Sequence, residues 1–146
     1  MKAPLPFALL VAVLLAPGAA AQAPARTGPS AADVKFITGM IPHHAQAVKM
    51  GRWAPTHGAS PALRRFAERI VVAQRDEIAA MRTWLRQQGQ PVPDTNATHV
   101  MMKMDGMDHA MLMPGMLTDE EMAKLDGLRG VEFDRFFLSS MIKHHG

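Results

Sequence analysis

The chain has 146 residues, a formal net charge of +3 and no cysteine, which excludes disulfides and removes the usual soft metal ligand, a thiolate. Aromatic residues make up only 5% of the sequence and tyrosine is absent, so the stacking platforms of nucleic-acid-binding proteins are not expected. Basic and acidic residues are interspersed along the chain, a pattern that favours an ordinary solvated surface over a site for polyanions.

The first 21 residues have the three parts of a secretory signal peptide. Lys2 gives a basic start, residues 7–16 form a short apolar run, and an Ala-x-Ala motif ends at Ala21. The run is too short to span a bilayer comfortably. We therefore expect cleavage after Ala21, a periplasmic or secreted location and no stable membrane insertion afterwards. Residues 22–30 predict a flexible leader, followed by one helical metal-binding domain over 31–146.

The first predicted helix begins after Ser30, where Asp33 completes an acidic variant of the capping box, and ends before Pro55. Two neighbouring stripes at the helical spacing i, i+4, i+7, i+11 place methionine beside histidine. They consist of Phe36, Met40, His43, Ala47 and Met50, and of Ile37, Ile41, His44 and Val48. Pro42 predicts a kink beside the histidines.

A second helix is predicted from Ser60 and Pro61 to Gly89. The short loop that precedes it predicts antiparallel packing against the first helix. Met81 and Glu77 lie on or beside its apolar face and are candidate ligands. Glu77 has two equally supported interpretations, because such a carboxylate either orients a metal-binding histidine through its Nδ1 proton or is a solvated charge at a helix border.

The segment 97–117 is rich in methionine and is interrupted by two glycine-containing pairs of residues. One interpretation is a short amphipathic turn whose methionines fill gaps in the core. The favoured interpretation is a flexible, thioether-rich loop that captures a soft ion, because few other apolar residues accompany the methionines. Its candidate ligands are Met101, Met102, Met104, Met107, His109, Met111, Met113 and Met116.

A third helix is predicted after Thr118, with Glu121 completing a capping box, and a fourth from Val131. The fourth helix repeats the first: residues 134–145 align without gaps on residues 33–44, and Asp, Phe, Met, Ile and both His recur at equal offsets. A single histidine pair is more often a hydrogen-bonded part of the core than a metal site. The second copy, with Met141, His144 and His145, reverses that preference, since bundle cores often hold metals between facing helices.

Thioether and imidazole donors together favour Cu(I) over hard cations, with Ag(I) and Cu(II) as alternatives. We expect a binding protein and not an enzyme, because the sequence has no Ser-His-acid arrangement, no cysteine and no Glu-x-x-His motif. Two alternatives stay open: a copper redox or electron-transfer protein, and a helical bundle whose methionines form an adaptable surface for a partner.

Four motifs of the chain are specific in combination. They are Phe36-x3-Met40-Ile41-x-His43-His44-x2-Ala47-Val48-x-Met50, Gln74-x2-Glu77-Ile78-x2-Met81-x2-Trp84-Leu85, Met113-Pro114-Gly115-Met116-Leu117 and Glu132-Phe133-Asp134-x2-Phe137-Leu138-x2-Met141-Ile142-x-His144-His145. Together they resemble the domain-of-unknown-function family numbered 305, whose members are helical proteins often exported by bacteria. The resemblance implies an all-α, antiparallel four-helix, ferritin-like bundle that binds copper in the periplasm and supports copper tolerance.

The resemblance also implies a ligand set and partners. The implied ligands are the methionine-rich segment together with Met40, His43, His44, Met50, Met141, His144 and His145. Members of the family usually continue past the second histidine pair, so the last helix is expected to be cut short. Either the chain is incomplete, or a homodimer supplies the missing wall. The other expected partner is a copper efflux or delivery protein.

Overall fold

A computed structural model describes residues 28–146, apart from the side chains at positions 102–104. The predicted signal peptide and residues 22–27 of the leader lie outside the described residues. The elements are α1 (Ala31–Trp53), α2 (Pro61–Gln87), β1 (Val100–Met104), β2 (Met107–Met111), α3 (Asp119–Gly127) and α4 (Gly130–His145). The fold is predominantly helical, as predicted. None of these helices has the length and apolar character needed to cross a membrane.

Side-chain caps set the predicted starts of three helices. Ser30 and Asp33 exchange two hydrogen bonds at the start of α1, with distances of 2.8 and 3.1 Å. Thr118 and Glu121 do the same at the start of α3, and the Ser60 hydroxyl accepts from a backbone N–H of α2. These bonds satisfy amide groups that the first turn of a helix leaves without partners, and they confirm the predicted boundaries.

Helices α1 and α2 pack antiparallel, as the short loop between them predicts. Gly51 near the end of α1 lies against Ala67 and Val71 near the start of α2, whereas His44, earlier in α1, contacts Glu77, later in α2. This packing buries one apolar cluster, which consists of Ile41, Ala45, Val48, Ile78 and Leu85.

A second apolar cluster joins the end of α1 and the start of α2 to α3 and α4. Its largest members are Met50, Leu63, Leu117, Met122, Leu125, Phe133, Phe137 and Met141. Phe133 and Phe137 stack with their ring centroids 5.8 Å apart. The described residues contain four helices, as predicted. Helix α3 has only nine residues, and the assembly of the four into an antiparallel ferritin-like bundle stays a prediction.

The methionine-rich segment is a β-hairpin and not the predicted flexible loop. Its antiparallel register pairs Val100 with Met111, Met102 with His109 and Met104 with Met107. Asp105 and Gly106 form the turn with φ angles of 52° and 80°, as type I′ hairpin turns require, and Asp-Gly is a preferred sequence for them. The prediction treated this dipeptide only as an interruption. The chain is therefore helical with a small sheet, not purely all-α.

A turn over residues 113–117 leads from the hairpin to α3 and lies between α1 and α4. The Gln46 side chain of α1 donates to the Leu117 carbonyl and accepts from the Leu117 N–H, at 2.9 and 2.8 Å. Gly115 has a φ of +87°, and a Cβ there would lie 2.9 Å from the carbonyl oxygens of Lys143 and His144. The turn therefore packs directly against the end of α4 that carries the second histidine pair.

Candidate metal centre

The two predicted histidine pairs meet in one pocket, although they are separated by about two thirds of the chain. The pocket, of about 440 Å³, lies where α1, α2, α4 and the 113–117 turn come together. It is lined by Met40, His43, His44, Gln74, Glu77, Met113, Pro114, His144, His145 and Gly146. Both copies of the Met-Ile-x-His-His repeat thus contribute their histidines to the same site.

His43 and His144 form the buried centre of this pocket. Their ring centroids are 3.9 Å apart, and the two residues are only 7% and 3% exposed. Within residues 28–146, Nδ1 of His43 and both ring nitrogens of His144 are buried without a hydrogen-bond partner. Because buried polar atoms are nearly always paired, such nitrogens call for an explanation. A metal ion bound to the one lone-pair nitrogen that each neutral ring offers would account for two of them.

The outer histidine of each pair is held by α2. Nε2 of His44 lies 2.7 Å from the Glu77 carboxylate, and the Gln74 amide nitrogen lies 3.0 Å from Nε2 of His145. Nδ1 of His145 also lies 3.0 Å from the Met141 carbonyl oxygen. His145 therefore uses both ring nitrogens in hydrogen bonds. Glu77 orients His44 through Nε2 and not through the predicted Nδ1, which leaves Nδ1 directed to the interior.

Burial lowers the pKa of both central histidines, because a charged imidazolium is poorly solvated there. For His43, repulsion from His44 and His145 lowers the pKa further. For His144, burial followed by repulsion from His43 and the other two histidines lowers the pKa to about 3. The His144 ring is therefore neutral at neutral and mildly acidic pH, and the lowered pKa of His43 favours its neutral ring at neutral pH. Neutral imidazole is the state that binds metals.

Lowering the pH from about 7 to about 5 is expected to destabilise the metal-free protein by about 2 kcal/mol through His144. The ordinary pKa of the unfolded histidine is 6.5 and the folded value is about 3, so below pH 6.5 the unfolded chain binds more protons. The stability is thus present above the unfolded pKa and is lost as the pH falls toward the folded one. Urea denaturation at both pH values measures the change.

The control for this effect is an exposed histidine. His144→Gln should remove the part of the dependence on pH that His144 contributes, whereas His109→Gln, on the exposed strand β2, should leave the dependence as in the wild type. Equal slopes of stability against pH in the wild type and in His144→Gln would contradict the assigned burial of a neutral ring.

Two of the predicted thioethers reach the pocket. Met40 lines it from α1, and Met113 lines it from the turn. The side chain of Met113 packs directly on Gly39. A Cβ at position 39 would lie only 2.6 Å from the Met113 sulfur. The backbone N–H of Met113 also donates to the sulfur of Met116, at 3.2 Å. Met116 is itself buried, so it fixes the backbone of Met113.

The other predicted ligands lie elsewhere. Met50 and Met141 are buried in the apolar cluster around Phe133, and Met81 packs against the cluster between α1 and α2. Met101, Met107, His109 and Met111 are exposed on the hairpin, and the side chains of Met102 and Met104 lie outside the description. Among residues 28–146, no three His, Asp or Glu side chains are already arranged around one metal position.

Sequence reasoning missed two glycines that shape the pocket. Gly39 admits the thioether of Met113, and Gly115 admits the backbone of α4. A glycine in a helix interior costs about 1 kcal/mol relative to alanine, so Gly39 beside Met40 was a signal of close packing. Gly115 after a proline is likewise typical of a turn that needs a positive φ.

Comparison with known proteins adds a family and two solved structures. A family model described as a domain of unknown function, DUF305, matches residues 33–146. A secreted DUF305 protein of Streptomyces coelicolor is 32% identical, with a TM-score of 0.60 over 75% of this chain and 62% of that one. CopM in its Cu(II)-bound form is also 32% identical, with a TM-score of 0.56 over 77% of this chain and 66% of that one.

A viral protein shares a shorter stretch. The uncharacterized protein L153 of Acanthamoeba polyphaga mimivirus is 34% identical over 53 residues, which are 36% of this chain and 35% of that protein. The chain thus spans about a third of the viral relative and less than two thirds of either solved structure. The secreted Streptomyces protein bears out the predicted location outside the cytoplasm. Because the family model matches residues 33–146, which include all four helices but for the first two residues of α1, this chain belongs to the DUF305 family.

Proposed function

We propose that this chain is an exported copper-binding protein that holds Cu(I) in the histidine pocket and thereby sequesters or carries it. The observation that carries the proposal is the pair of buried rings of His43 and His144, 3.9 Å apart, with unpartnered nitrogens. Copper is the favoured metal because the donors are soft to borderline. The Cu(II)-bound relative CopM gives independent support for copper.

The proposed ligands are the imidazoles of His43 and His144 and the thioethers of Met40 and Met113. All four line the pocket. His44 can join through Nδ1, because the hydrogen bond from its Nε2 to Glu77 fixes the ring and makes it a stronger donor. The mixed set of nitrogen and sulfur suits the monovalent ions Cu(I) and Ag(I).

A redox or electron-transfer role is a second candidate, favoured by one feature of the pocket. Three histidines with available nitrogens offer imidazole to Cu(II), while the two methionines offer thioether to Cu(I). A site that accommodates both oxidation states is able to cycle between them. We infer binding and not catalysis as the main role, because the side chains assigned in the pocket act either as proposed metal ligands or as hydrogen-bond partners that orient the histidines.

Titration with Cu(I) under reducing conditions, against a competing chelator, tests the proposal on the wild-type protein. We expect one tightly held ion per pocket, and X-ray absorption should show both sulfur and nitrogen neighbours. A spectrum with only oxygen neighbours, or loss of the ion to a weak chelator, would contradict the proposal. Voltammetry of the loaded protein addresses the second candidate, since a reversible Cu(II)/Cu(I) wave is expected only if the site accepts both states.

A further inference from the structure

A second concave surface lies beside the histidine pocket, between the first turns of α1 and the hairpin. This groove, of about 620 Å³, is mainly apolar and is lined on the hairpin side by Met101, Met111 and Met113. Phe36 and Gly39 line it on the α1 side. The thioethers are the soft donors of the groove, and Met101 and Met111 are exposed to solvent by 59% and 39%.

Met113 belongs to both surfaces. It lines the groove with Met111 and lines the histidine pocket with Met40. The sulfur lies over Gly39, where a Cβ would be 2.6 Å away, so the absence of a side chain at position 39 is what lets the thioether occupy the boundary. A donor atom therefore stands at the point where the groove and the pocket adjoin.

We propose that the groove is the route by which Cu(I) reaches the histidine pocket, and that Met113 is the ligand that passes the ion between them. The inference rests on the proposed function. In each step the ion gains one donor before it loses another: from Met111 to Met113, and then to Met40 and His43. Thioethers are neutral and bind without releasing a proton, and the ion keeps its charge and oxidation state throughout.

The charge of the groove favours monovalent ions. Lys35 is the ionised side chain that lines it, and at a given distance its ammonium repels a divalent cation twice as strongly as a monovalent one. Its lining side chains offer no carboxylate, the donor that hard cations prefer. The route therefore selects soft monovalent ions before they meet the imidazoles, which would bind harder metals as well.

The first test measures the rate of loading. Cu(I) is transferred from a coloured bis-chelate to the protein, and the loss of colour is followed by stopped flow. Met113→Leu, which removes the sulfur with little change in shape, should load the pocket at least about tenfold more slowly, a change of about 1.4 kcal/mol in the barrier. Met122→Leu, a buried methionine of α3 in the second apolar cluster, is the matched control and should load at the wild-type rate.

The second test uses Ag(I) and proteins labelled with ¹³C at the methionine methyls. The methyls of Met111 and Met113 should shift at lower Ag(I) additions than the ring signals of His43. Gly39→Ala should weaken the Met113 response because the added Cβ displaces the sulfur, whereas Gly127→Ala, where a Cβ meets nothing within 4 Å, should not.

The outcomes separate the route from the proposed function. If the wild-type protein retains Cu(I) but Met113→Leu loads at the wild-type rate, the route is wrong and the proposed function stands. The proposed route would also be wrong if the ring signals of His43 shifted at lower Ag(I) additions than the methyl signals of Met111 and Met113. If the wild-type protein does not retain Cu(I), the proposed function fails, and the route fails with it.

Discussion

The double variant His43→Ala/His144→Ala is expected to bind Cu(I) at least about a thousandfold more weakly than the wild type. Removing a partner that only orients a ligand already costs about 10- to 100-fold in metal affinity, and here two direct nitrogen donors are lost together. The rings lie 3.9 Å apart, and both are replaced because either imidazole alone would be able to retain part of the affinity. Competition with a Cu(I) chelator of known affinity measures the loss.

His57→Ala is the matched control, because His57 is an equally buried histidine at the far end of α1. It is 5% exposed, lies 2.8 Å from the Asp126 carboxylate and stacks on Trp53 with ring centroids 5.7 Å apart. Its loss should lower the free energy of unfolding while leaving copper affinity near the wild-type value. Similar losses of affinity in both variants would show that the double variant acts through general destabilisation.

The repeat indicated that both histidine pairs face the core of the domain, but each copy was expected to form a metal site of its own, and the shared pocket was not predicted. Two copies of one amphipathic pattern on helices of a small domain expose the same side chains to the same core. His43 and His144 occupy equivalent positions of the two copies, and they are the two rings that meet. His44 and His145 are also equivalent, and both are contacted by α2.

Which histidine each polar residue of α2 contacts was harder to predict from the sequence. One of the two interpretations of Glu77 was that it orients a metal-binding histidine, and its carboxylate contacts His44. Gln74, one turn earlier, instead contacts His145 of α4. Which helix lies against which edge of α2 depends on the packing of the second apolar cluster, and a periodic pattern in one helix does not specify it.

The hairpin was missed because its composition is atypical. Strands are usually enriched in β-branched and aromatic residues, and residues 100–111 contain Val100 as the only such residue. The informative signal was the pair Asp105 and Gly106, which is typical of a two-residue hairpin turn. The register that follows sets Met102 opposite His109 and Met104 opposite Met107, so the segment is more ordered than a loop.

His57 lies in the loop between α1 and α2 and is buried, which no local pattern in the sequence predicts. Its Nε2 lies 3.0 Å from the Asp126 carbonyl oxygen and 2.8 Å from the Asp126 carboxylate, while Nδ1 lies 2.9 Å from the Thr56 hydroxyl. The bonds to Asp126 join the loop before α2 to the end of α3. They link residues far apart in sequence, which local patterns do not report.

Gly115→Ala is expected to destabilise the protein by about 3 kcal/mol and to weaken copper binding as well. An alanine at a φ of +87° is strained by about 1 kcal/mol or more. The added Cβ would also lie 2.9 Å from two carbonyl oxygens of α4, and forcing atoms into a well-packed site costs about 1–3 kcal/mol. Urea denaturation measures the first effect, and competition with a Cu(I) chelator measures the second.

The second effect follows because the displaced backbone is that of the site itself. One of the two carbonyls belongs to His144, and the turn that carries Gly115 also carries Met113. Relieving the clash must move the turn away from α4, which separates proposed sulfur and nitrogen ligands. Gly89→Ala is the control, since Gly89 has a φ of +66° but a Cβ there meets nothing within 4 Å. Gly89→Ala should therefore show the cost of backbone strain alone, with unchanged copper affinity. If Gly115→Ala also leaves the copper affinity unchanged, the turn does not position the ligands of the pocket.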